Sequence, residues 1–379
     1  MMKKIFLPCV MLLAFWLSSA TMSLWAQGNT QLRLYGVAFY NVENLFDTWH
    51  DAGKNDYEFL PDGSYKWNLM KYEAKLGNIA RVVSELCTQM GKLRNPRGAA
   101  VVGLSEVENK HVLHDLLKQE LLRGRGYRAV HFDGPDRRGV DCALLYNPRL
   151  FQVEDSMLVP YYYLDPKQPD VDLGFYVDSK GKVRAYTELK GDTTHITRGF
   201  LVVSGRLAGE KLHFIVNHWP SRAAASPARE RAGYQVRCLK DALLKQDPGS
   251  KVIIMGDLND DPKDPSVTEG LRALRKPEKC KDDDLYNPWY DMLYKTGQGT
   301  LLYNGKWNLF DQIIFTGNLL GDNRKQLKFY KHEVFYREYL IQQEGRYKGG
   351  PLRTTAGGTW LNGYSDHLPT QIFLVKEAE

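Results

Sequence analysis

The run Lys251-Val-Ile-Ile-Met-Gly-Asp-Leu-Asn-Asp-Asp-Pro262 constrains the fold more than any other part of the chain. Four consecutive apolar residues, Val252 to Met255, read as a short buried strand bounded by turn signals. Gly256 predicts a sharp turn at the strand's exit. Asp257 and Asn259 follow two residues apart, so both point the same way wherever the chain stays extended. A carboxylate that orients a water, beside an amide that holds a phosphoryl oxygen, makes a hydrolytic pair. Gly-Asp and Asn-Asp-Asp-Pro are equally ordinary turn chemistry. The remainder of the chain has to decide between these readings.

With 379 residues and 43% hydrophobic composition, the chain has material for a sizeable core. The first 26 residues stand apart from it. Lys3 and Lys4 precede the uncharged run Ile5 to Leu17, and small residues follow at Ser18, Ser19 and Ala20, with Ala26 a further cleavage position. That layout predicts a secretory signal peptide over 1–26 and a secreted or periplasmic mature chain forming a single domain over 27–379. The alternative, an uncleaved anchor, is disfavoured because a span needs about 20 apolar residues. After removal of Lys3 and Lys4, 49 basic face 45 acidic residues. This mild excess does not by itself demand a nucleic-acid partner. Four cysteines remain, at 87, 142, 238 and 280, enough for one or two disulfides, yet Cys87, Cys142 and Cys238 sit in apolar surroundings that suit buried thiols. No pair has zinc-like spacing.

Along the chain, strands are expected over Arg33 to Tyr40, Ala99 to Leu104, Tyr127 to Phe132 and Val140 to Tyr146. Helices are expected over Lys71 to Met90 and His111 to Leu122, the first from Leu76, Ile79, Ala80, Val83 and Leu86 at three-and-four spacing. Residues 150–195, rich in tyrosine, proline and turn signals, suggest an irregular β insertion. A hairpin follows over 200–216. Ser226-Pro227 then opens a helix to Lys245, with the serine as N-cap. A strand is expected over Leu309 to Phe315, and the chain closes on Tyr364-Ser-Asp-His-Leu-Pro-Thr-Gln-Ile-Phe-Leu-Val375, a loop feeding a last strand.

Almost every polar cluster falls just after a strand, where α/β sheets place their sites. In order these are Asn41 and Glu43, Glu106, His218, Asp257 with Asn259, Asp311, and Asp366 with His367. Each alone has a packing explanation, such as a hydrogen-bonded core histidine or a turn aspartate. So many strand exits loaded with acid, amide or imidazole do not.

The set Asn41-Val-Glu43, Ser105-Glu106, Asn217-His218, Gly256-Asp-Leu-Asn259, Asp311 and Ser365-Asp-His367 resembles the endonuclease/exonuclease/phosphatase (DNase I-like) superfamily, in that family's order and over nearly all of the mature chain. The resemblance implies a four-layer α/β sandwich, with two central, mostly antiparallel sheets flanked by helices. It further implies a metal-dependent phosphodiesterase. Because a phosphodiester repels an attacking hydroxide, its hydrolysis needs charge neutralisation and positioning. Glu106 would hold a hard cation, with Glu43 a second or water-mediated ligand; Mg²⁺ is expected, with Mn²⁺ or Ca²⁺ as alternatives. Asp257 would activate the water, and Asn259 and His218 would donate to non-bridging oxygens. By analogy Asp366 holds His367, which stabilises the phosphorane charge or assists the leaving group. Asp311 would orient that pair, and Asn41 would position the Glu106 cluster. Arg138 and Arg222 are candidate phosphate clamps, each equally readable as a surface arginine.

For the substrate, Leu309-Phe-Asp-Gln312 departs from the Cys-Asp-Arg triplet of inositol phosphatases. A sphingomyelinase-type phospholipase C would want exposed apolar contact with a membrane, for which Tyr161-Tyr-Tyr163 and Phe175-Tyr176 are faint candidates. Residues 323–353 carry eight Lys or Arg against three Glu, with six Phe or Tyr interleaved, the composition that meets nucleic-acid phosphates and bases. An exported endonuclease acting as a monomer on nucleic acid, without a stable protein partner, is therefore expected. Another phosphoesterase activity, or a catalytically silent binding module on the same scaffold, is the alternative.

Overall fold

A computed structural model describes residues 31–161, 173–187, 197–345 and 347–378, with the backbone of 24–25. Apart from residues 24–25, the expected leader lies outside the described residues, as do Tyr162, Tyr163 and parts of the expected β insertion. No helix among the described residues is long and apolar enough to cross a membrane.

Two large sheets organise the fold. The strands that form them are β1 (Gln31–Leu45), β2 (Ala99–Val107), β3 (Arg128–His131), β4 (Asp141–Tyr146), β5 (Phe151–Tyr161), β6 (Thr197–Leu207), β7 (Glu210–His218), β8 (Lys251–Asp257), β9 (Leu285–Tyr286), β10 (Asp311–Thr316), β11 (Lys328–Val334) and β12 (Thr370–Glu377). The first sheet runs β11-β12-β1-β2-β4-β3 and the second β9-β10-β8-β7-β6-β5. Within each, one central pair is parallel, β1 with β2 and β7 with β8, and the other pairs are antiparallel. The strand over 151–161 is therefore an edge of the second sheet, paired along its length with β6 through two register shifts, and not part of an irregular insertion.

Side-chain alternation assembles the layers. Val37 and Phe39 enter the core between the sheets, while Ala38 and Tyr40 face the helices. In β8, Ile253 and Met255 face the other sheet, and Val252 and Ile254 pack on the outer helix. Burial of each Val, Ile, Met or Phe side chain among these contributes about 1.5–3 kcal/mol. A one-residue slip would exchange the two faces, so the register is strongly specified. Helices α1 (Leu69–Glu85) and α2 (Lys110–Lys118) cover the first sheet and α3 (Ser226–Gln246) the second, completing the four layers.

Local chemistry sets the helix ends. Asn68 and Asn109 accept backbone N–H groups at the starts of α1 and α2. At α3 the N-cap is Ala225 rather than Ser226, whose hydroxyl instead donates to Glu230. Cys87, Cys142, Cys238 and Cys280 are all free thiols.

Candidate active site

Both parallel pairs end at the same face, and they carry the polar residues there. In register, Asn41 sits beside Ser105, His218 beside Asp257, and Asp257 beside Asp311. Gly256 does not make the expected turn. It lies within β8 without a positive φ, and a Cβ there would stand 2.3 Å from the Asn217 carbonyl oxygen. Its missing side chain lets β7 approach, which brings His218 next to Asp257.

The turn comes at Asn259, at φ 51°, whose N–H donates to Asp257 Oδ1 at 2.9 Å. Turn chemistry and site chemistry thus share one carboxylate. Its other oxygen, Oδ2, accepts from Asn41 Nδ2 at 3.0 Å and lies 3.7 Å from His218 Nε2 and 3.9 Å from His367 Nε2. Burial, with Asp311 and Glu106 nearby, pushes the Asp257 carboxyl up to about 7 against the opposing pull of His367.

Glu106, also at positive φ, accepts from Asn41 Nδ2 at 3.2 Å and from the Asn44 N–H at 2.9 Å. Non-glycine residues in this backbone region concentrate at functional sites. Burial and the cations Arg198, Arg138 and His367 hold His218 well below its ordinary range, so its imidazole is neutral. Its Nδ1 is buried without a hydrogen-bond partner.

For His367 the sequence expectation needs correcting. Its Nδ1 binds Asp311 Oδ2 at 2.7 Å, whereas Asp366 stands 3.8 Å from Nε2. Asp366 lies at a bend, and its carboxylate instead receives Arg353 Nη2 at 2.6 Å. Burial disfavours the imidazolium, but Asp311, Asp257 and Asp366 outweigh it and hold His367 well above the usual histidine range.

Arg222 is another correction to the expected phosphate clamps. Its guanidinium reaches the Asn259 carbonyl at 3.2 Å, Asn308 at 3.3 Å and Asp264 at 2.9 Å, and lies over the Phe310 ring. These contacts make it a brace for the Asn259 turn. Arg138 keeps half its side chain exposed, with Asp136 at 3.9 Å.

Three residues escaped the sequence reading. Arg353 bridges Asp366 and Glu43, lying 3.6 Å from the latter. The Thr354 N–H donates to Glu43 at 2.6 Å. Lys75, fully buried on α1, donates to Thr354 Oγ1 and to the Tyr364 carbonyl. A lysine within the apolar stripe Tyr72–Leu76–Ile79 was the available signal for it. Burial pushes Lys75 down to about 8; burial and Asp366 push Glu43 up to about 7.

A divalent cation fits this donor set. Glu43, Glu106, Asp257, Asp311 and Asp366 crowd one end, answered nearby by Lys75, Arg353 and His367. Donor atoms of Asp257, Asp311 and His367 also lie within 4.8 Å of one another. The oxygen-rich set suits a hard ion. With Glu43 engaged by Arg353 and Thr354, Glu106 is the carboxylate that would be freer to hold an ion.

Residues 36–183 and 163–376 match the Endonuclease/Exonuclease/phosphatase family. The chain belongs to that family. Its members are metal-dependent phosphoric ester hydrolases, and this chain is a phosphoric ester hydrolase of that kind. Among solved structures, ANGEL2, a 2′,3′-cyclic phosphatase in complex with adenosine-2′,3′-vanadate, is similar at TM-score 0.56 and 15% identity, over 92% of this chain and 97% of that one. A family protein from Bacteroides thetaiotaomicron is similar at TM-score 0.50 and 16% identity, over 92% and 96%. At these identities the likeness shows the shared fold, two large sheets in a mixed α/β arrangement. No curated protein matches the chain.

Proposed function

We propose that the chain is an exported endonuclease that hydrolyses nucleic-acid phosphodiester bonds by in-line attack of water, with Mg²⁺ as its ion. One observation carries the choice of polymer: exposed aromatic rings lie on the segments that follow strand ends or pair with the His367 segment. Trp49 and Tyr57 follow the exit of β1, and Tyr336 follows β11. Tyr303 belongs to the hairpin whose Leu301 pairs with His367. Unstacked bases lie on such rings at about 1–3 kcal/mol each. The basic run 323–353 supports the reading less than its composition suggests. Arg337 binds Glu85, Lys328 the Asn318 carbonyl and Arg353 the site itself.

In this reading Asp257, with its carboxyl near neutrality, accepts the proton of the attacking water. Asn41 holds that carboxylate toward Glu106. Neutral His218 donates an N–H to a non-bridging oxygen, as does the Asn259 amide hydrogen not given to the Trp219 carbonyl. His367, kept protonated by Asp311, offers Nε2–H to the leaving oxygen. Arg138 meets a flanking phosphate. Glu106 would hold a divalent cation, which when bound would supply charge neutralisation at the phosphate. Export is supported by the leader-like pattern of residues 1–26.

A substrate panel of plasmid DNA, RNA, sphingomyelin and inositol phosphates, each with Mg²⁺, Mn²⁺ and EDTA, tests the proposal. Metal-dependent internal cleavage of DNA or RNA is expected. Turnover of sphingomyelin alone would replace it with a phospholipase C reading. Silence on all four would leave a binding role.

A further inference from the structure

We infer that His131, Asp133 and Asp141 form a second cation site, for a borderline ion such as Zn²⁺, at the base of the β3–β4 hairpin beside the phosphate-ester site. His131 ends β3 and Asp141 begins β4, and His131 pairs in register with Ala143. One donor atom from each of the three residues lies within 4.8 Å of the others.

The independent observation is the imidazole itself. The His131 side chain is 1% exposed, yet neither ring nitrogen has a hydrogen-bond partner. A buried polar group left this way costs about 1–3 kcal/mol, which asks for a ligand. Nδ1 stands 3.7 Å from Asp133 Oδ1 and Nε2 3.5 Å from Asp141 Oδ2. Those gaps are too long for hydrogen bonds. The two nitrogens point away from one another, so an ion takes one of them together with the carboxylate beside it, and the third donor lies within the same 4.8 Å group.

Among the described residues, no lysine or arginine pairs with Asp133 or Asp141. Arg198 goes to Asp136, Arg138 stands by the same residue, and Lys54 takes the carbonyls of Gly134 and Asp136. The Gly134 N–H donates to both Asp141 oxygens, at 3.1 and 3.0 Å, and so orients that carboxylate as second-layer donors do at metal sites. Asp133, with 70% of its side chain exposed, leaves an entry path from solvent. One nitrogen with two carboxylates favours Zn²⁺ or Mn²⁺ over the all-oxygen preference of Mg²⁺. An ion here would tie down the loop that carries Asp136 and Arg138.

The test measures Zn²⁺ uptake by the mature chain in millimolar Mg²⁺, using equilibrium dialysis and isothermal titration. The Glu106→Gln/Asp257→Asn protein, weakened at the phosphate-ester site, is expected to bind one Zn²⁺. Adding Asp133→Asn, an exposed change that spares the core, is expected to weaken that binding roughly 100-fold or more. In ¹⁵N-histidine spectra Zn²⁺ should shift one imidazole, a signal absent from His131→Asn. Absence of uptake by the Glu106→Gln/Asp257→Asn protein, or undiminished affinity after Asp133→Asn, would overturn the site and leave His131 as a clamp between two acids.

Discussion

Asp311 Oδ2 receives His367 Nδ1 at 2.7 Å, and this contact, joining β10 to the loop before β12, turns the other ring nitrogen toward Asp257. Asp311 is wholly buried, and its second oxygen has no partner. The pair therefore sets both the tautomer and the charge of the imidazole.

Asp311→Asn should lower kcat on bis-p-nitrophenyl phosphate by on the order of 10²–10⁴, with circular dichroism unchanged. Combined with His367→Ala, the losses should fall far short of additive, because the two act as one unit. A single variant retaining more than half the wild-type rate would remove Asp311 from this role.

Lys75 and Glu43 are both buried and act on one another through space, with Thr354 bonded to each. Lys75→Met removes one of the cations facing the Glu43 carboxylate and leaves the Tyr364 carbonyl without its donor, and should destabilise the fold by about 1–3 kcal/mol in urea unfolding at pH 8. Adding Glu43→Gln should restore much of the loss. If the double variant is as unstable as the single one, Lys75 acts through packing alone.

Metal removal should be felt most at alkaline pH. Folding raises Glu43 from 4.5 and Asp257 from 3.8 to about 7 each. For an acid shifted upward, the stabilising contribution is complete below the unfolded value and lost as pH climbs through the folded one. The protein in EDTA should therefore melt lower at pH 8 than at pH 5.5, and Mg²⁺ should raise the midpoint more at pH 8. An equal or smaller Mg²⁺ effect at pH 8 would contradict this account.

His213 shows the opposite sense. Fully buried against Ser204, it is pushed by burial from 6.5 to about 4. The unfolded chain then binds the extra proton between those values, so stability falls on acidification from pH 6.5 to pH 4, by about 3 kcal/mol from this group. His213→Gln should flatten that part of the profile relative to wild type. Parallel profiles would show that His213 titrates normally.

Arg222 and Arg138 should separate kinetically. Arg222→Ala loosens the Asn259 turn and should reduce kcat and thermal midpoint together. Arg138→Ala should mainly raise KM, by several-fold. A KM effect from Arg222 with unchanged stability would return it to the role of phosphate clamp.

Much of the layer architecture is legible in one dimension because burial imposes a period. Val252 to Met255, the alternation through Val37 and Phe39, and the stripe on α1 each announce a buried face. The strand over 151–161 was hidden, since its flanking tyrosines and prolines read as irregular loop although its backbone completes an edge of the second sheet. The candidate site residues were visible as acids, amides and imidazoles at strand exits.

Their partners were not visible. Asp366 neighbours His367 in the chain, but Asp311, 56 residues earlier, holds the ring, because Arg353 takes the Asp366 carboxylate while the packing of β10 brings Asp311 to Nδ1. Glu43 meets Arg353 and Thr354 across more than 300 positions, and Lys75 meets Thr354 across 279. Local periodicity thus specifies which faces are buried and which strand ends are polar. Which charge answers which depends on where separate strands and helices pack, and only the assembled fold contains that information.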